Sequence, residues 1–150
     1  MHQITVSNPA KASLIGTRIE LADTCVGRLV GLLGRKRLEP GCGLLLQPSS
    51  GVHTFGMRFA IDVVALDRSR CVLRTWSHLL PFRLTRLSLR THACLELAAG
   101  EVAALHIVPG DRLLLVRNPA PHRFGVKKTE EATAKLHATP ATNFTHGGDL

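Results

Sequence analysis

The chain has 150 residues, a hydrophobic fraction of 45% and a formal charge of +8. That length holds one domain of ordinary size, and that apolar fraction can build a core, so an intrinsically disordered chain is excluded. Aromatics at 4%, with no Tyr, argue against a stacking platform for single-stranded nucleic acid.

Residues 1–12 are polar and read as a flexible lead-in to a domain over 13–117. The start, MHQITVSNPAKASLIG, shows no basic segment followed by an apolar one, so no signal peptide is expected. SLIGTRIEL (13–21) alternates and carries β-branched residues, which predicts a strand. ADTCVGRLVGLLGR then predicts a short helix near the N-terminus. Asp23 or Thr24 can cap it, and Val26, Leu29, Val30 and Leu33 recur at helical spacing. Gly34 suits the left-handed position after its end, and Arg35, Lys36 and Arg37 meet the negative end of its dipole. Gly27 and Gly31 each weaken such a helix by roughly 1 kcal/mol, which suits close packing against a sheet.

CGLLLQ (42–47) reads as a short apolar strand and PSSG (48–51) as a turn. VHTFGMRFAIDVVALD (52–67) is too long for one strand, and a break is expected near Gly56–Arg58. Ser69-Arg70 is a hairpin turn before a returning strand over 71–76. Residues 77–91 read as an exposed connection, because Pro81 breaks regularity and Arg83, Arg86 and Arg90 suit solvent. ACLELAAG (93–100) is apolar around Glu96. A helical or irregular piece follows, then a PGD turn at 109–111 and a final strand over 112–117. From Asn118 the apolar patterning ends, which predicts a disordered tail over 118–150. Many short strands with turn signals predict a mainly-β class, a compact sandwich or barrel-like domain with one short helix near the N-terminus packed on it.

Cys25, Cys42, Cys71 and Cys94 form no CxxC pair and read as free, buried thiols rather than a metal site. No apolar run reaches the length of a membrane span, so the expectation is a soluble, cytoplasmic protein. Fourteen of the nineteen basic residues are Arg. Such charge suits an anionic ligand or surface met through Arg83, Arg86 and Arg90, or, as the plainer reading, a solvated Arg-rich surface. No nucleic-acid-binding motif accompanies it.

The chemistry-bearing residues on the apolar scaffold are His53, Met57, Arg58, Asp62 and Glu96. If 52–67 were fully extended, His53 and Asp62 would face opposite sides and lie roughly 30 Å apart. They can act as an acid–base pair only if the chain bends. A His53–Met57 pair could serve copper, but Met57 between Phe55 and Phe59 reads as core, and neither metal nor cofactor is expected. Glu96, buried in LEL, needs an Arg partner such as Arg28, Arg35 or Arg58, or else carries a raised pKa. Ser49-Ser50 lacks the GxSxG elbow, and no phosphate-cradling glycine loop occurs.

Five blocks occur in order over about residues 18–116: LADTCVGRLVGLLGR, GCGLLL, VHTFGMRFAIDVVALD, LELAAG and PGDRLLL. In this the chain resembles the DUF192 (UPF0127) family. Arg28, Gly31, Leu32 and Arg35 match its helix motif, and His53, Phe55 and Met57 its H-x-F-x-M segment. Asp62 and Asp67 match its apolar strand, Leu95, Glu96, Leu97 and Gly100 its L-E-L-x-x-G block, and Gly110-Asp111 its turn. The resemblance implies a compact, mainly-β fold with a helix packed on it and no established activity. Many members carry an export signal, which this start lacks, and some have a Cys where Ser49 follows Pro48. Three readings stand: a non-enzymatic binding or accessory module for a small or anionic ligand or a protein partner; a small hydrolase using His53 with Asp62 or Glu96; and a polyanion-binding protein.

Overall fold

The structure, a computed structural model, describes residues 2–24 and 31–119. Strands β1 (His2–Asn8), β2 (Ser13–Ala22), β3 (Cys42–Leu46), β4 (Ile61–Leu66), β5 (Val72–Leu79), β6 (Ala93–Ala98) and β7 (Leu114–Arg117) form one sheet, ordered β5-β4-β6-β3-β2-β1-β7. The β2–β3 pair is parallel and all others are antiparallel. The compact unit that contains the sheet ends at Asn118. No helix among the described residues is long and apolar enough to cross a membrane.

The mainly-β class holds, but the expected sandwich or barrel is corrected to a single mixed sheet that does not close. Its far ends are nonetheless tied. The Val72 amide donates to Asp111 O at 2.8 Å, and Leu113 N–H donates to Arg70 O at 3.0 Å, just before β7. Strand periodicity and turn residues are the same for a sandwich, a barrel and a curled sheet; only long-range pairing separates them.

Residues 2–8, read as a flexible lead-in, are instead β1, paired on both edges. Its Ile4, Val6 and Asn8 alternate inward, a period of two interrupted by polar side chains on the other face. The predicted helix falls largely on residues 25–30, outside the described residues, as does the tail from 120 onward. The α-helix among the described residues is α1 (Glu101–Ala104), on the segment read as helical or irregular.

Strands β4 and β6 are buried along their whole length, on both faces. They therefore read as continuous apolar runs rather than alternating ones. On one face Leu45, Val64, Leu66, Leu95 and Leu97 pack with Val102 of α1, Ile107 and Leu113. On the other, Leu44, Leu46, Val63 and Cys94 pack under Leu32, Val52 and Met57, which come from the loops. Gly43 lets β3 approach β6 closely, since a Cβ there would meet Glu96 O at 2.5 Å.

Asp62 lies fully buried on the α1 face. Its Oδ2 accepts the amides of Gly100 (3.0 Å) and Val102 (2.8 Å), and its Oδ1 accepts that of His78 (2.8 Å). The His78 amide turns inward because β5 slips register between Ile61 and Val63 and His78 takes a positive φ of 52°. Gly100, at φ 96°, supplies the left-handed turn that aims the other two amides at the same carboxylate. One side chain thus ties β4, β5 and the start of α1.

Asp62→Ala strands three amides and should lower unfolding free energy by about 3 kcal/mol or more. Asp62→Asn, which keeps one acceptor oxygen, should cost less. Urea unfolding measures both; a loss below about 1 kcal/mol for Asp62→Ala would show that those amides find other partners.

Candidate functional site

The register of β6 decides which carboxylate meets solvent-accessible space. Asp62 pairs with Leu97 and faces α1, whereas Glu96 pairs with Val63 and Leu44 and faces the loops. Glu96 forms part of the floor of a cavity of about 480 Å³. Leu32, Leu46, Val52 and Met57 supply buried apolar wall, and His53, Ser50 and Leu89 stand at its exposed rim.

The loop carrying His53 is held by backbone pairing to the segment after β5. Thr54 N–H donates to Arg83 O at 2.8 Å, Phe82 N–H to Thr54 O at 3.0 Å, and Thr85 N–H to Val52 O at 2.9 Å. Two buried hydroxyls lock this ribbon. Thr54 Oγ1 donates to Leu80 O at 2.7 Å and accepts the Arg83 amide at 2.9 Å; Thr85 Oγ1 accepts the Val52 amide at 2.8 Å. Val52 and Thr54 point inward, so His53 between them is exposed and stacks on Phe55 at 5.6 Å. Ser49 donates its hydroxyl to Gly51 O at 2.7 Å, and its amide donates to His92 O at 2.9 Å.

Glu96 is 3% exposed, and its Oε2 has no hydrogen-bond partner among the described residues. Burial pushes its carboxyl from the ordinary 4.5 up to about 8, and the charge of Arg35 pulls only weakly the other way. The expected Arg partner is not found among the described residues: Arg35 donates to Glu20 at 2.8 Å, Arg58 is exposed, and Arg28 lies outside them. Cys94, two residues earlier on the same face, is a buried thiol pushed up to about 11 by burial, so it is protonated at neutral pH. Cys42 and Cys71 are free and only half-buried, and Cys25 lies outside the described residues.

Of the five candidates, His53, Met57 and Glu96 meet at one cavity. Asp62 is on the opposite face of the sheet, and Arg58 does not line the cavity. Among the described residues, no His/Cys/Asp/Glu group is arranged to hold a metal ion. Sequence reasoning missed Leu32, Leu89, Thr91 and His92 as lining residues. Leu32 carried only its place in the family's helix motif, and Thr91 and His92 only their adjacency to β6, which means nothing until β3, β4 and β6 are known to be neighbours.

Glu96 also sets a pH dependence. Below about pH 4.5 folded and unfolded chains both hold its proton. Between there and about 8 only the folded chain does, so its contribution to stability is lost as pH rises, by up to about 1.4 kcal/mol per unit. Glu96→Gln should therefore gain stability relative to wild type from pH 5 to 8, read as a widening gap in urea midpoints. A constant gap would mean that Glu96 ionises at its ordinary pKa.

Two solved structures share the fold. One is a protein of unknown function from Novosphingobium aromaticivorans, with a TM-score of 0.64 at 23% identity, covering 75% of this chain and 83% of that one. The other is a Sinorhizobium meliloti protein provisionally described as a transcription regulator, with a TM-score of 0.63 at 21% identity, covering 76% and 92%. Both likenesses are of fold alone. None of the curated proteins matches the chain. The model of the DUF192 family, described as "Uncharacterized ACR", matches residues 6–115, which takes in β2 to β6 and the whole cavity floor. With more than half of its length matched, the chain belongs to the DUF192 family.

Proposed function

We propose that this DUF192 protein is a non-enzymatic binding module whose ligand seats in the cavity above Glu96. The observation that carries the reading is the buried, unpartnered Oε2 of Glu96 on the floor of a cavity of about 480 Å³. An unsatisfied buried polar atom costs about 1–3 kcal/mol, which a ligand group bonding to it recovers. A carboxyl with a pKa of about 8 is largely protonated at neutral pH, so it presents one donor and one acceptor. That pattern complements a carbonyl or an amide. The apolar walls of Leu32, Leu46, Val52 and Met57 suit a small, partly apolar molecule around that group.

Binding is favoured over hydrolysis by the arrangement of the polar groups. The hydrolase reading pairs His53 with Asp62 or Glu96 as its orienting carboxylate. Asp62 is committed to three amides on the opposite face, and no hydrogen bond joins His53 to Glu96 among the described residues. Ser49 spends its proton on Gly51 O, and the Cys94 thiol is protonated, so neither is an activated nucleophile.

A thermal-shift screen of small carbonyl and amide compounds at pH 6.5 tests the reading. Hits should lose about tenfold or more in affinity in Glu96→Leu and less in His53→Ala, because only Glu96 is buried beneath the ligand. Their affinity for wild type should fall as pH rises past 8, when Glu96 loses its donated proton. Hits equally tight in Glu96→Leu would overturn the assignment.

A further inference from the structure

A second cavity, of about 340 Å³, lies between β5 and the segment 86–91, and Arg74, Arg86 and Arg90 all line it. We propose that this cavity is an anion site for a phosphate-bearing ligand, separate from the cavity above Glu96.

Three features set these arginines apart from a merely solvated basic surface. They come from two different parts of the chain, yet they share one small cavity, where like charges repel one another. Among the described residues they also lack counter-charges. The described ion pairs take Lys11 to Asp111, Arg35 to Glu20 and Arg37 to Glu39, and no described carboxylate pairs with Arg74, Arg86 or Arg90. Arg74 is also positioned, with its guanidinium 5.9 Å from the Trp76 ring centre. Planar guanidinium forks match the tetrahedral oxygens of phosphate better than point charges do. Ser88 adds a hydroxyl at the same cavity, and its Oγ accepts the Arg90 amide at 3.3 Å, which leaves its proton for the ligand.

The rim indicates what adjoins the phosphate. Leu87 lines the cavity and is 60% exposed, and Phe82, Leu84 and Leu89 stand exposed along the same ribbon. Alternating apolar and Arg side chains suit either a soluble organic phosphate with an apolar body or a lipid headgroup at a bilayer surface. The shared chemistry is the phosphate.

Trp76 is the sole tryptophan of the chain and lines this cavity, so its fluorescence reports occupancy directly. The full-length protein is titrated at constant ionic strength with inorganic phosphate, and separately with vesicles of phosphatidylcholine with and without phosphatidic acid. A saturable change is expected, weaker by about tenfold or more in the Arg86→Gln/Arg90→Gln double variant and unchanged in Arg18→Gln. Saturation by inorganic phosphate identifies a free phosphate ligand; a response only to phosphatidic acid vesicles identifies a headgroup. Both outcomes support the site. Its absence follows if neither titrant gives a saturable change, if phosphatidylcholine alone matches phosphatidic acid, or if the double variant responds like wild type. The substituted arginines are exposed, so the variant's melting temperature should stay within about 2 °C of wild type, and the comparison is then one of folded proteins.

Discussion

Strands β4 and β6 are covered on both faces, and that constraint governs every polar group they carry. A carboxylate placed there cannot stay hydrated; it must be saturated with hydrogen bonds or give up its charge. The two strands show both solutions side by side. Asp62 collects three amides and becomes a structural tie. Glu96, next to it in the ladder but pointing to the other face, collects none at Oε2 and is held largely protonated. The same burial that makes Asp62 a fixture leaves Glu96 available to a ligand. That the two face opposite sides follows from the pleat and the β4–β6 register, since neighbouring positions on paired strands face opposite sides.

The second organising device is the ribbon between residues 50–54 and 80–88. It is irregular, yet Thr54 and Thr85 fix it with buried hydroxyl bonds on top of its backbone pairing. It carries the loop that bears His53 over the floor formed by β3 and β6, and its continuation over 86–91 forms one wall of the arginine-lined cavity. Loops held this firmly by a rigid sheet can present chemistry with little ordering cost on binding. Neither cavity uses the face covered by α1. There Glu101 accepts the amides of Gly41 (2.8 Å) and Ala98 (3.2 Å), which commits its carboxylate to the fold.

The strands most legible in the sequence are those with local signals. SLIGTRIEL alternates, CGLLL and IDVVAL are apolar runs of strand length, and the turn after Asp67 follows from a side chain that accepts three local hydrogen bonds. β1 shows the opposite case. Its alternation spans only a few residues in polar surroundings, and its pairing with β7 joins residues more than 100 positions apart. A short alternating segment gains a definite state only when such a partner is present. The candidate residues divide in the same way. His53, Met57 and Glu96 stood out as polar or soft groups in apolar contexts, and they meet at one cavity; Asp62 stood out equally and belongs to the opposite face.

Sequence by itself therefore determined the mainly-β class, most strand positions, the family and the residues whose chemistry needs explaining, because each rests on local periodicity or on short motifs. The tertiary structure alone decided the single curled sheet, the separation of Asp62 from Glu96, and the meeting of Arg74 with Arg86 and Arg90. Those outcomes depend on which distant strands pair and in what register. A slip of one residue between β4 and β6 would bring Asp62 and Glu96 onto the same face without changing the sequence or its local propensities.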